Sequence, residues 1–275
     1  MLRFSVLASG SSGNAVYVET DKTRILIDAG VACKHIEAAM AEISVSLEDL
    51  DAILVTHEHS DHIKGIGVVA RKVISERRKK EYDRLEVPIY ATEGSWHDLH
   101  GLMKDYCEAS RKVIAVGDQL EFEDLLIEPF PLSHDAREPV GYIFYHGSNK
   151  LTLATDLGYM SSRVKETVAD SDAYILESNH DVNMLRVGPY PWYLKKRILS
   201  DKGHLSNEAA GEALIDIMSE RTQDVLLAHL SQENNYPDLA EITVQGILEA
   251  ASKKVRLHRT YPDKPTPLLE IKPRE

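Results

Sequence analysis

Thr56-His57-Glu58-His59-Ser60-Asp61-His62 follows directly on the apolar run Ile53-Leu54-Val55. The run is short and branched, as a buried strand is. On extended chain leaving a strand, residues two apart project to the same side, which pairs His57 with His59. Asp61 and His62 follow closely enough to face a second ion. Three imidazoles and a carboxylate within six residues combine borderline nitrogen with hard oxygen donors, a mixture suited to zinc and related divalent ions. A cluster without a ligand would gather several ionisable side chains behind an apolar strand for no purpose.

Around this block, apolar runs at residues 4–7, 16–18 and 25–27, punctuated by Gly, Asp or Asn, read as strands, and 35–43 and 66–80 carry helical spacing. Further strands are expected at 89–91, 125–129, 140–145, 151–154, 173–176 and 225–228, with another near the end. Helices are expected at 95–106, 206–218 and 239–251. No low-complexity linker and no clear internal boundary interrupts the pattern. Ile25-Leu26-Ile27-Asp28-Ala29-Gly30 is echoed by Leu153-Ala154-Thr155-Asp156-Leu157-Gly158, each an apolar strand ending in Asp, one residue, then Gly. Such strand ends are where open α/β sheets present ligand sites. The turn at residues 9–14, Ser-Gly-Ser-Ser-Gly-Asn, reads as a tight connection between two strands or as a nest of amides for phosphate.

The chain has 275 residues, 43% hydrophobic and 28% charged, enough for one large core or two fused halves. No apolar run reaches the roughly 18 residues of a membrane span, and the first residues read as a strand, not an export signal. Cys33 and Cys107 are too few for a disulfide framework, so a cytoplasmic protein is expected. The net charge of -12 argues against binding nucleic acid through overall charge, so a polyanionic substrate must be held locally. Basic clusters at 71–72, 77–80, 195–197 and 253–256 are either such local contacts or solvated helix faces.

The metal block resembles the His-X-His-X-Asp-His signature of the metallo-β-lactamase superfamily. Later ligands of that family have counterparts in order: Pro131-Leu132-Ser133-His134-Asp135, Thr155-Asp156-Leu157-Gly158 and Leu226-Leu227-Ala228-His229. The resemblance implies a four-layer αββα sandwich, two mixed sheets flanked by helices, in one domain of two pseudo-repeated halves. It implies that His57, His59 and His134 hold one divalent ion, that Asp61, His62 and His229 hold the other, and that Asp156 bridges them. Asp28 would support the site from behind its ligands. The ions are expected to be zinc, with manganese as the alternative. Two ions would acidify a bridging water towards pH ~7 and stabilise the attacking and leaving oxygens of a displacement.

The substrate must be read elsewhere, because one scaffold hosts thioester, lactone, lactam and phosphodiester hydrolysis. Lys202-Gly203-His204-Leu205-Ser206-Asn207 resembles the Gly-His segment of superfamily phosphodiesterases. By that resemblance His204 donates a proton to the leaving oxygen and Glu177, in Leu176-Glu177-Ser178-Asn179-His180-Asp181, orients it. The alternatives are that His204 neighbours a helix cap at Ser206 or Asn207, and that Glu177 makes a local strand-end hydrogen bond. In 188–197, Trp192 and Tyr193 adjoin Lys195, Lys196 and Arg197: bases stack there beside phosphate-binding cations, or a helix packs the aromatics inward. Ala-Ser-Gly-Ser-Ser-Gly-Asn, Glu-Ser-Asn-His-Asp, Gly-His-Leu-Ser-Asn and Ala-His-Leu-Ser resemble the YycJ (WalJ) branch. This implies a metal-dependent exonuclease acting 5′ to 3′ on duplex DNA. Only about 70 residues separate Asp156 from His229, too few for the clamp domain of the β-CASP nucleases. The competing readings are an RNA-processing endonuclease, a lactone or thioester hydrolase, and a binding module with an idle metal site.

Overall fold

The computed structural model describes residues 1–103 and 106–272. The chain divides into two compact units, the first comprising Met1–Pro129, Ala136–Val140 and Tyr261–Glu275, the second Phe130–Asp135 and Gly141–Thr260. No change of composition marks the division, because both units are built from the same short branched strands and amphipathic helices.

The first unit contains β1 (Leu2–Ala8), β2 (Ala15–Glu19), β3 (Arg24–Ile27), α1 (Cys33–Glu42), β4 (Ala52–Leu54), α2 (Ser60–Ile63), α3 (Ile66–Lys79), β5 (Ile89–Thr92), α4 (Glu93–Leu99) and β6 (Arg111–Ile114). The hairpin β7 (Leu120–Phe122) and β8 (Leu125–Pro131) follows. Its mixed sheet runs β14-β1-β2-β3-β4-β5-β6, with β3 to β6 parallel and β14 (Leu269–Ile271) antiparallel to β1. Alternate strand residues such as Leu26, Ile53 and Val55 pack against Ile36 and Met40 of α1, Ile66, Val69 and Val73 of α3, and Trp96 of α4. The spacing of those helical residues is what laid a single apolar stripe on the sheet.

The second unit contains β9 (Val140–His146), β10 (Asn149–Ala154), α5 (Ser162–Val168), β11 (Ala173–Glu177), α6 (Val182–Val187), α7 (Trp192–Ile198), α8 (Asn207–Ile217), β12 (Asp224–Ala228), α9 (Pro237–Ala250) and β13 (Arg256–Arg259). Its strands run β13-β12-β11-β10-β9; β10 to β13 are parallel and β9 is antiparallel to β10, so this sheet is also mixed. Val164 and Val168 of α5, Leu214 and Ile217 of α8, and Val244 and Leu248 of α9 close over Ala154, Leu176, Val225 and Leu227. No helix among the described residues is long and apolar enough to cross a membrane.

The expected helix at 95–106 is shorter than its pattern: α4 ends at Leu99, two residues before Gly101, and Lys104 and Asp105 lie outside the described residues. Thr92, Ser161, Asp181 and Ser206 cap α4, α5, α6 and α8 by accepting hydrogen bonds from the amides three residues on.

Candidate metal centre

In the first unit the donors stand beyond the C-terminal ends of the parallel strands β3 and β4. Asp28, one residue past β3, is buried in the left-handed region at φ 60°. Its Oδ1 accepts from the Thr56 amide at 2.9 Å, and its Oδ2 accepts from the Thr56 hydroxyl at 2.8 Å and lies 2.7 Å from His62 Nδ1. That contact assigns the proton of His62 to Nδ1 and leaves Nε2 with the lone pair a metal ion would take, 3.1 Å from the Asn14 side-chain nitrogen. His57 Nε2 and His59 Nδ1 are 3.0 Å apart, close to the ~3.3 Å that two metal–nitrogen bonds subtend at a tetrahedral ion. Asp61 Oδ2 stands 3.6 Å from His62 Nε2. The four donors therefore pair as His57 with His59 and Asp61 with His62, and their types and spacings fit divalent cations. Glu58 turns away: its carboxylate accepts from the Arg137 amide at 2.7 Å and from the Ser95 hydroxyl at 3.4 Å.

The turn before β2 supports this cluster from behind. Asn14 donates its amide to the Asp61 carbonyl, and its side chain accepts from the Gly10 amide. With the Gly13 amide bonded to the Gly10 carbonyl, the segment is a closed turn; the amides of Gly10, Gly13 and Asn14 are engaged within the protein.

The second unit repeats the strand-end arrangement. Asp156 follows β10 at φ 62° and His229 follows β12 at φ 55°, both buried. The echo between Asp28-Ala29-Gly30 and Asp156-Leu157-Gly158 is thus structural. In each, Asp turns the chain out of the sheet, and the glycine two residues on allows a close pass: a Cβ on Gly30 would stand 1.6 Å from the Asp61 carbonyl oxygen, and one on Gly158 2.3 Å from the Asp201 carbonyl carbon.

Glu177, the last residue of β11, is completely buried. Its Oε1 lies 2.8 Å from His204 Nδ1 and 2.7 Å from His229 Nδ1, while Oε2 accepts from the amides of Leu157 at 3.0 Å and Leu205 at 3.1 Å. Burial pushes its pKa up, but the charge and hydrogen bond of His204 and the hydrogen bond of His229 outweigh it and hold the carboxyl well below the usual carboxylate range. Donor atoms of Asp156, Glu177, His204 and His229 lie within 4.8 Å of one another. His134 bonds the Gly203 carbonyl through Nδ1 at 3.1 Å, which leaves Nε2 3.8 Å from Asp156 Oδ1. Burial lowers the His134 pKa and keeps the ring in the neutral, ligating form.

Trp192 and Tyr193 at the start of α7 are 62% and 76% exposed, so the packing that would turn them inward does not occur. Lys195 is the inward residue: its ammonium donates to the carbonyls of Arg186 and Gly188 at 2.7 Å each, closing the end of α6. Lys196 lies 5.8 Å over the Trp192 ring, and Arg197 pairs with Asp135. Sequence reasoning gave no role to the side chains of Asn14 and Thr56 and missed that Glu177 also holds His229. Only the register of β11 on β12, which sets Glu177 opposite Ala228, puts that carboxylate beside His229.

Residues 23–229 match the family described as the β-lactamase superfamily domain. The exodeoxyribonuclease YycJ of Bacillus anthracis is 44% identical over 274 residues, 98% of this chain and 99% of that protein. The exodeoxyribonuclease WalJ of Streptococcus pneumoniae is 43% identical over 275 residues, 98% of each. Among solved structures, the metallo-β-lactamase fold protein YhfI of Bacillus subtilis superposes with a TM-score of 0.72 at 17% identity, covering 96% of this chain and 98% of that one. The chain belongs to the metallo-β-lactamase superfamily, in the branch of the YycJ and WalJ proteins. It is an enzyme, a metal-dependent hydrolase with the α/β fold of that superfamily.

Proposed function

We propose that the chain is a dinuclear metal-dependent exonuclease that degrades duplex DNA from 5′ to 3′. The observation that carries the reading is the Glu177–His204 contact at 2.8 Å. With Nδ1 held by an anionic carboxylate, His204 keeps Nε2 for donating a proton to the leaving oxygen of a phosphodiester, a step worth ~10²–10⁴-fold. In the ligand order of the superfamily, His57, His59 and His134 would hold one ion, Asp61, His62 and His229 the other, and Asp156 would serve both. When bound, zinc or manganese supplies the Lewis acidity that makes water a nucleophile near neutral pH and offsets phosphate charge. Asp28 and Glu177 hold His62 and His229 through Nδ1, as carboxylates behind ligating histidines do.

DNA as the substrate is supported by the relatives of near-full length that are named exodeoxyribonucleases. With a net charge of -12, the grip on phosphates must be local, and the exposed Trp192, Tyr193 and Lys196 supply stacking faces beside a cation. A cytoplasmic place of action accords with two free cysteines. Duplex DNA labelled separately at its 5′ and 3′ ends, given to zinc- or manganese-loaded protein, should lose nucleotides progressively from the 5′ end, and Asp61→Ala should abolish this. Internal cuts in RNA, or turnover of a lactone or thioester with no loss of DNA label, would replace the reading. Tight DNA binding with no cleavage would make the chain a binding module.

A further inference from the structure

The second unit holds a cavity of about 210 Å³ that the chemistry above does not use. Pro131, Leu132, Leu157 and Val164 give it an apolar wall, and Ser133, Tyr159 and Ser161 complete the lining. Ser133 immediately precedes His134 and Leu157 immediately follows Asp156, so two lining residues are chain neighbours of two proposed metal ligands.

The wall is braced. The Gly158 amide donates to the Ser133 carbonyl at 2.8 Å, the Leu157 amide to Glu177 at 3.0 Å, and the Ser133 hydroxyl to the Asp201 carbonyl at 2.7 Å. The Ser161 hydroxyl accepts from the Val164 amide at 3.3 Å. Leu157 is buried, whereas Tyr159 is 47% exposed and offers a ring to an incoming group. The volume is below the ~300 Å³ at which pockets for drug-sized ligands begin, and suits one flat ring system better than a whole nucleotide or a peptide. An aromatic face beside an apolar wall binds any base by stacking, and the two serine hydroxyls match the polar edge of a base.

We propose that this cavity receives a nucleobase of the strand being cut, the one next to the scissile phosphate, with Tyr159 as its stacking partner. The assignment rests on the nuclease reading for the phosphate, and the chain adjacency of Ser133 to His134 and of Leu157 to Asp156 favours an occupant covalently joined to the reacting group. The test is equilibrium binding of dAMP and of 2-deoxyribose 5-phosphate, which lacks the base, to the metal-loaded full chain, its Tyr159→Phe variant and its Tyr159→Ala variant. The wild type and Tyr159→Phe should bind dAMP about tenfold or more tightly than the baseless phosphate, and Tyr159→Ala should lose that preference. Equal affinity for the two probes, binding of neither, or a preference that survives Tyr159→Ala overturns the proposal. Because binding is read without turnover, that result stays distinct from a failure of the end-labelled DNA experiment.

Discussion

Glu177 holds a candidate acid and a candidate ligand with one oxygen, so substitutions at Glu177 and at His204 should separate in their effects. His204→Asn should lower the cleavage rate by about 10²–10⁴-fold with the bound metal per chain unchanged. Glu177→Gln sets an amide among two imidazole and two backbone donors, loosening His229 along with His204. It should therefore also weaken metal affinity, by roughly 10–100-fold, measured by competition with a chelating dye. If Glu177→Gln binds metal like the wild type, its carboxylate serves His204 alone. Thr56 has a similar double attachment, since its hydroxyl donates to Asp28 and lies 3.0 Å from His57 Nδ1.

The glycines after Asp28 and Asp156 set the geometry of the strand ends, and their substitution should show it. Gly30→Ala and Gly158→Ala drive a Cβ into backbone and should each destabilise the protein by about 3 kcal/mol in urea unfolding. Gly246→Ala, on the exposed side of α9 with nothing within 4 Å of the added carbon, should stabilise it by about 1 kcal/mol. Equal effects at the three positions would mean that the close passes are not tight. The elements that could be read from the chain are those whose apolar period dominates, such as β3, β4, α3 and α8. The strands β6 and β7 escaped, because Arg111-Lys112-Val113-Ile114 and Leu120-Glu121-Phe122 carry no long apolar run. The first donor block was legible because it is contiguous. His134, Asp156 and His229 were legible only through their order, and the link from Glu177 to His229 depends on a strand register that no local pattern encodes.

Across the whole molecule, 44 acidic against 32 basic side chains make every anion-binding step a local matter. Resident ions also act on the whole chain through mass action. A divalent ion at a hundred times its dissociation constant adds ~2.7 kcal/mol to the folded state, which for a chain of this length raises the melting temperature by about 5–10 °C. Calorimetry in manganese or zinc against excess EDTA should show that difference, reduced in Asp61→Ala; identical melting in metal and chelator would mean that no ion resides there.

The two donor sets also differ in when they can form. His57, His59, Asp61 and His62 occupy six successive residues, and their supporting carboxylate at Asp28 stands only 34 positions before His62. On a growing chain these residues emerge while much of the second unit is still unsynthesised. Asp156, Glu177 and His229 converge only after β10, β11 and β12 have aligned, with the long loop closures that parallel strands demand. A nascent chain that ends short of His204 would therefore carry the first four candidate metal donors without the candidate proton donor, and metal could meet them before cleavage is possible.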